Sequence, residues 1–222
     1  MAKQHATVTF RFTNEMVQSC ISMAKTVGAP NDSSVTLFEA LAGLFWVCVS
    51  KIKGQGNGTL TNMSVSVDMR ETLGLDKGFF GNCKAYHEVP AWECLRDQNG
   101  LSEATSTIGE AVKKMENKKD TQFDRVVGSG RDLICAKLDN VESNSTMFED
   151  FCDPIRISCY IEHVLGEGQV LILPWPPGEG GFSRVTMVTP PEDEVVKLCE
   201  DAILLQFNPT ILIGIRKSQN IV

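Results

Sequence analysis

The chain has 222 residues, 42% of them hydrophobic and 22% charged, with a net charge of −7. That composition supports a real apolar core in one large domain or two small ones. The acidic balance argues against nucleic acid or an anionic membrane as main partner, since binding phosphates takes clustered Lys and Arg.

Elements follow in chain order. "HATVTFRFT" alternates with Val8, Phe10 and Phe12 on one face, the pattern of a half-buried strand. Thr13 can cap a helix carrying Met16, Val17, Cys20, Ile21 and Ala24, and Gly28-Ala29-Pro30 is expected to end it. Thr36 and Glu39 stand in capping-box spacing before "LFEALAGLFWVCVSKI", which is apolar around most of its circumference and predicts a deeply buried helix. Gly54 to Gly58 reads as a flexible loop.

"TLTNMSVSVDMR" alternates again, with Met63, Val65, Val67 and Met69 on one face, and "FFGNCKAYHEV" reads as its partner strand. Leu101, Ser102 and Glu103 read as staple, cap and acidic first turn of a helix reaching about Lys114, with Ile108, Val112 and Met115 inward. The basic end "KKMENKK" suits a helix C-terminus. "DLICAKL", "DPIRISCYIEHV", "QVLILPW" and "SRVTMVT" read as strands, with "LGEG" a turn and "PPGEGGF" a loop. Thr189 and Glu192 form a second capping-box pattern opening one helix, "EDEVVKLCEDAILL", and "PTILIG" is a short terminal strand. Interleaved strands and helices without repeats indicate a single layered α/β domain over 1–222 with a mixed sheet.

Strong chemical motifs fail. No Gly-rich loop matches a dinucleotide or P-loop pattern, and Ser129 in "VGSGR" lacks the leading Gly of a nucleophile elbow. None of the eight Cys forms C-x-x-C or a zinc spacing, so the thiols read as reduced and buried, which suits the cytoplasm, and no metal is expected. No stretch approaches the ~20 apolar residues of a membrane span, and the N-terminus lacks the apolar core of a signal peptide. The three histidines, His5, His87 and His163, read as ordinary side chains rather than bases.

Taken together, the order "VTFRFTNEM", "SSVTLFEALAGLFWVCV", "VDMR…GFFGN" and "DPIRIS…GEGQVLILPWPPGEGGFSRVTMVTPPEDEVVKLCED" resembles the C-terminal half of a plant BAHD acyl-CoA-dependent acyltransferase. The resemblance implies a chloramphenicol-acetyltransferase-like two-layer domain, a mixed β-sheet with flanking helices. It implies acyl transfer from acyl-CoA, a co-substrate rather than a cofactor, to a small-molecule hydroxyl or amine acceptor in a channel between two domains. The family's general base lies in an H-x-x-x-D motif of the other domain; this sequence has no such motif and therefore no catalytic residue, so the chain is expected to be inactive alone.

Phe80, Gly81 and Asn82 resemble the family's Y-F-G-N segment, and Arg70 the Arg of its D-x-R strand, which the family pairs with the Asp of D-F-G-W-G. That motif is degenerate in "FEDFCDPIRIS": Asp150 is the leading candidate partner for Arg70, with Asp153 and Glu149 as alternatives, and the Trp and at least one Gly are absent. Such loss is similar to the eceriferum-type members, accessory proteins of very-long-chain fatty-acid elongation and wax synthesis. That alternative implies an elongase condensing enzyme as partner and association with the endoplasmic reticulum surface. Arg184, just beyond the Gly-rich loop, is the candidate for a phosphate of CoA.

Overall fold

A computed structural model describes residues 4–25, 34–57, 60–76, 79, 81, 83–92, 95, 100–117, 132–138, 166–175 and 181–213. Among the described residues seven strands form one mixed sheet: β1 (Val8–Phe12), β2 (Met63–Asp68), β3 (Lys84–Val89), β4 (Leu133–Lys137), β5 (Gly168–Pro174), β6 (Arg184–Thr189) and β7 (Thr210–Ile213), in the order β3-β2-β4-β5-β6-β1-β7. Strands β2, β4 and β5 run parallel; every other pairing is antiparallel. The helices among the described residues are α1 (Asn14–Ala24), α2 (Leu37–Asn57), α3 (Gly100–Asn117), α4 (Glu192–Cys199) and α5 (Ala202–Leu205).

The alternation in the sequence divides the sheet into two faces. Val8, Phe10, Phe12, Met63, Val65, Val67, Cys135, Val170 and Ile172 join the helices in the main core. On the opposite face Ala136, Leu171, Leu173, Val185 and Met187 form a second apolar cluster. Helix α2 lies at the centre of the helical layer, and Phe38, Leu41, Leu44, Phe45 and Trp46 are all buried, as its nearly unbroken apolar surface requires. Trp46 can be buried because its indole Nε1 donates to the Thr61 carbonyl at 2.7 Å.

The capping box at Thr36 and Glu39 forms: the Thr36 amide donates to Glu39 at 2.9 Å and the Glu39 amide to the Thr36 hydroxyl at 3.3 Å. Thr13 caps α1, as the sequence suggests. That helix stops at Ala24, earlier than Gly28, because Lys25 adopts an extended conformation with ψ 129°. Helix α2 continues through Lys53 and Gly54 to Asn57 instead of breaking into a loop. Helical Gly costs about 1 kcal/mol, which the ion pairs of Lys53, described below, offset.

Helix α3 starts at Gly100, so Ser102 lies within its first turn rather than at its cap, and it runs past Lys114 to Asn117. The capping box read at Thr189 and Glu192 does not form. Thr189 stays in β6, its hydroxyl 2.9 Å from that of Thr7, and the Glu192 amide donates instead to the Gln4 carbonyl at 2.9 Å. The last helical segment is two helices, not one, because the Asp201 carboxylate turns inward to cap α5 through the amides of Ile203 and Leu204. The expected strand "DPIRISCYIEHV" lies outside the described residues.

Candidate functional site

Strand β2 ends at Asp68, and the chain then folds tightly on itself: the amide of Leu73 donates to the Met69 carbonyl and that of Leu75 to the Arg70 carbonyl, each at 2.9 Å. This turn points the Arg70 guanidinium back at the loop that leads into β3. Its Nε donates to the Phe79 carbonyl at 3.2 Å and its Nη2 to the Gly81 carbonyl at 2.9 Å. Its Nη1 pairs with the Asp68 carboxylate, whose other oxygen accepts from the Arg70 amide at 3.0 Å. One planar side chain thus fixes both ends of the 70–81 excursion, a use of Arg that Lys cannot copy. A Cβ on Gly81 would overlap the exposed Phe79 ring, so a side chain there would require that ring to move. Arg70 thus contacts Asp68 and the carbonyls of Phe79 and Gly81. Phe80, Asn82, Asp150 and the remaining carboxylates of the 149–153 segment lie outside the described residues, as does His163.

Arg184 opens β6 and donates through Nη1 to the carbonyls of Gly181 and Ser183, both at 2.8 Å, which holds the end of the preceding loop. It stands opposite Pro174, the last residue of β5. Arg70 and Arg184 consequently lie at the same end of the sheet, beyond the carboxyl ends of the parallel strands. They are three strand spacings apart, roughly 14 Å, too far to serve one small anion together.

On the sheet face away from the helices, across β3, β2, β4 and β5, lies a cavity of about 230 Å³. Its floor is apolar, built from Ile134, Ala136, Leu138 and Leu171. Its rim is polar, with Ser66, Lys84, Tyr86 and Gln169. Strand register explains the set: Ser66 lies beside Tyr86 and Ala136, Ala136 beside Leu171, and Ile134 beside Gln169. The sequence reading missed this site. Ser64 and Ser66, small polar residues alternating with Met63, Val65 and Val67, were the available signal.

A second cluster unseen in the sequence ties the scaffold together. Lys53 of α2 has a buried side chain and pairs with Glu167 at 2.7 Å and Glu194 of α4 at 2.9 Å. Glu167 belongs to the turn entering β5, where Gly166 takes φ 73° and a Cβ would overlap the Asp132 carbonyl. The carboxylate four residues beyond His163 is thus engaged with Lys53. Among the described residues no group of His, Cys, Asp and Glu could hold a metal ion. No helix there is long and apolar enough to cross a membrane.

No protein-family model matches the chain. Rosmarinate synthase of Plectranthus scutellarioides is 30% identical over 110 residues, 48% of this chain and 25% of that protein. The malonyl-coenzyme A:anthocyanin 3-O-glucoside-6''-O-malonyltransferase of Dahlia pinnata is 34% identical over 90 residues, 37% of this chain and 20% of that protein. Part of this chain is thus similar in sequence to two plant enzymes, each matched over a quarter or less of its length.

Solved structures agree on the fold. F. sporotrichioides TRI101, complexed with coenzyme A and T-2, matches with a TM-score of 0.71 at 13% identity, over 95% of this chain and 52% of that one. Vinorine synthase matches with a TM-score of 0.58 at 16% identity, over 93% of this chain and 49% of that one. The chain therefore shares the two-layer α/β fold of these proteins and spans about half the length of each.

Proposed function

We propose that this chain is the C-terminal half of a BAHD-type acyltransferase, the half that supports the channel and the acyl-CoA in transfer of an acyl group to a hydroxyl or amine acceptor. The observation that carries this reading is the coincidence of two comparisons: plant acyltransferases align in sequence, and the fold matches one half of larger acyltransferases. The order of the segments from "VDMR" to "GEGGFSRV" supports reading it as the C-terminal half. In this reading the general base comes from the other half, and the protein works in the cytoplasm.

The test is turnover by the purified chain with aliphatic, aromatic and malonyl CoA thioesters and alcohol or amine acceptors. A general base typically contributes ~10²–10⁴ in rate, so no release of CoA above the uncatalysed rate is expected. Turnover that His163→Ala abolishes would overturn the reading. Arg184 is proposed to reach a phosphate of CoA in the two-domain protein. There, Arg184→Ala should weaken CoA binding about tenfold or more, and unchanged affinity rejects the contact.

One sequence observation favours a second reading. After Asp150-Phe151 the chain runs Cys152-Asp153-Pro154, without the Trp and Gly of the family motif. An eceriferum-like accessory protein in very-long-chain fatty-acid elongation and wax synthesis would retain the fold without transfer, at the endoplasmic reticulum surface. Co-purification of an elongase condensing enzyme, together with no CoA binding by the two-domain protein, would favour it.

A further inference from the structure

The cavity on the open face of the sheet carries an inference that does not depend on acyl transfer. Register places Lys84 of β3 directly opposite Asp68 of β2, so the nearest cross-strand carboxylate would ordinarily neutralise it. Asp68 is already engaged: one oxygen accepts from the Arg70 amide and the other pairs with the Arg70 guanidinium. Lys84 is left without a carboxylate among the described residues and is the one charged side chain among the described residues that line the cavity. In a chain of net charge −7, this is a local cation set against the background.

The rest of the lining decides what could sit beside it. A volume of about 230 Å³ exceeds the ~150 Å³ in which an engineered apolar cavity takes up benzene. The floor of Ile134, Ala136, Leu138 and Leu171 offers nothing but apolar surface, so a fully hydrated ion or a sugar would leave its polar groups unpaired. The Tyr86 hydroxyl, the Ser66 hydroxyl and the Gln169 amide supply hydrogen-bond donors around the rim, on the same face as Lys84. A cationic rim with neutral donors over an apolar floor matches an anion with a compact apolar body.

We propose that this cavity binds a small carboxylate with an aryl or short alkyl body, its anionic end held by Lys84 and its body on the Ile134–Leu171 floor.

The test is calorimetric titration of the 222-residue chain with benzoate and 3-phenylpropionate. Benzyl alcohol serves as the uncharged control, and side-chain NMR of Tyr86 and Ile134 locates the ligand. The carboxylates should bind and perturb both residues, and Lys84→Met should weaken them about tenfold or more. Lys84 is exposed on an edge strand, so this variant should fold. Lys113→Met, which removes the same charge from an exposed position on α3, should leave binding unchanged. Equal binding of the alcohol, or equal weakening by both Lys variants, would overturn recognition of the anion at Lys84. Absence of carboxylate binding at millimolar concentration, or perturbations that miss Tyr86 and Ile134, would overturn the site.

Discussion

Arg70 shows how one side chain can fix a loop. Three of its nitrogens meet three different partners, Phe79, Asp68 and Gly81, and two of those partners are neutral carbonyls. Its side chain is 33% exposed, so solvent screens the ion pair. Arg70→Ala should therefore cost about 1–2 kcal/mol, below the ~3–5 kcal/mol of a buried pair. Arg70→Lys should not restore the loss, because an ammonium cannot span three directions; thermal melts of the two variants beside the parent decide this. The "VDMR…GFFGN" stretch singled out Arg70, but its contacts with Asp68, Phe79 and Gly81 were not legible there. Asp68 lies two residues away, and only the turn at 69–75 brings both groups to bear on the later loop.

The buried thiols make a second test at this scale. Burial pushes the Cys20 thiol up to about 12. Burial, then the Asp201 carboxylate it faces, pushes Cys48 well above the ordinary thiol value. The unfolded thiols lose their protons near pH 8.5, while the folded ones keep theirs. This contribution to stability is complete below about pH 8.5 and falls as pH rises from there towards 12. Denaturant melts should show the decline, and a Cys20→Ala, Cys48→Ala pair of substitutions should flatten it. Alkylation of either thiol in the folded chain at pH 8 would contradict their burial.

Among the elements, those whose pattern is self-contained were readable and those set by distant partners were not. Strands β1, β2, β5 and β6 announce themselves by alternation or apolar runs, and the Thr36–Glu39 box is a local interaction. The C-terminal end of α2 is different. "KGQGN" looks like a loop because its Gly residues disfavour helix, yet Lys53 meets Glu167 and Glu194, separated from it by over a hundred residues. The same blindness applies to α4, whose first amide is taken by the Gln4 carbonyl. Lys53→Met should strand two carboxylates against each other in a mostly buried site and cost ~3–5 kcal/mol. Adding Glu167→Gln and Glu194→Gln should recover a substantial part. A Lys53→Met protein that unfolds at the parent's denaturant midpoint would show that the cluster does not hold α2, β5 and α4 together.

Across the whole molecule, one mixed sheet carries helices on one face and, on the other, an apolar cluster beside a polar-rimmed cavity. The two-layer architecture was legible from interleaved elements and the resemblance of their order. The cavity was not, since its lining comes from four strands that sequence alone cannot place side by side. Arg70, Lys84 and Arg184 all stand at the sheet end beyond the carboxyl ends of β2, β4 and β5, where a mixed sheet of this kind can present loops to a partner domain. The central claim is that this chain supplies one half of an acyl-transfer channel. The most direct measurement is CoA release by a chimaera in which the chain replaces the corresponding part of rosmarinate synthase, leaving the rest of that enzyme in place. The account predicts acyl transfer well above the uncatalysed rate. A chimaera that melts cooperatively and binds CoA yet releases none with any acceptor would contradict it.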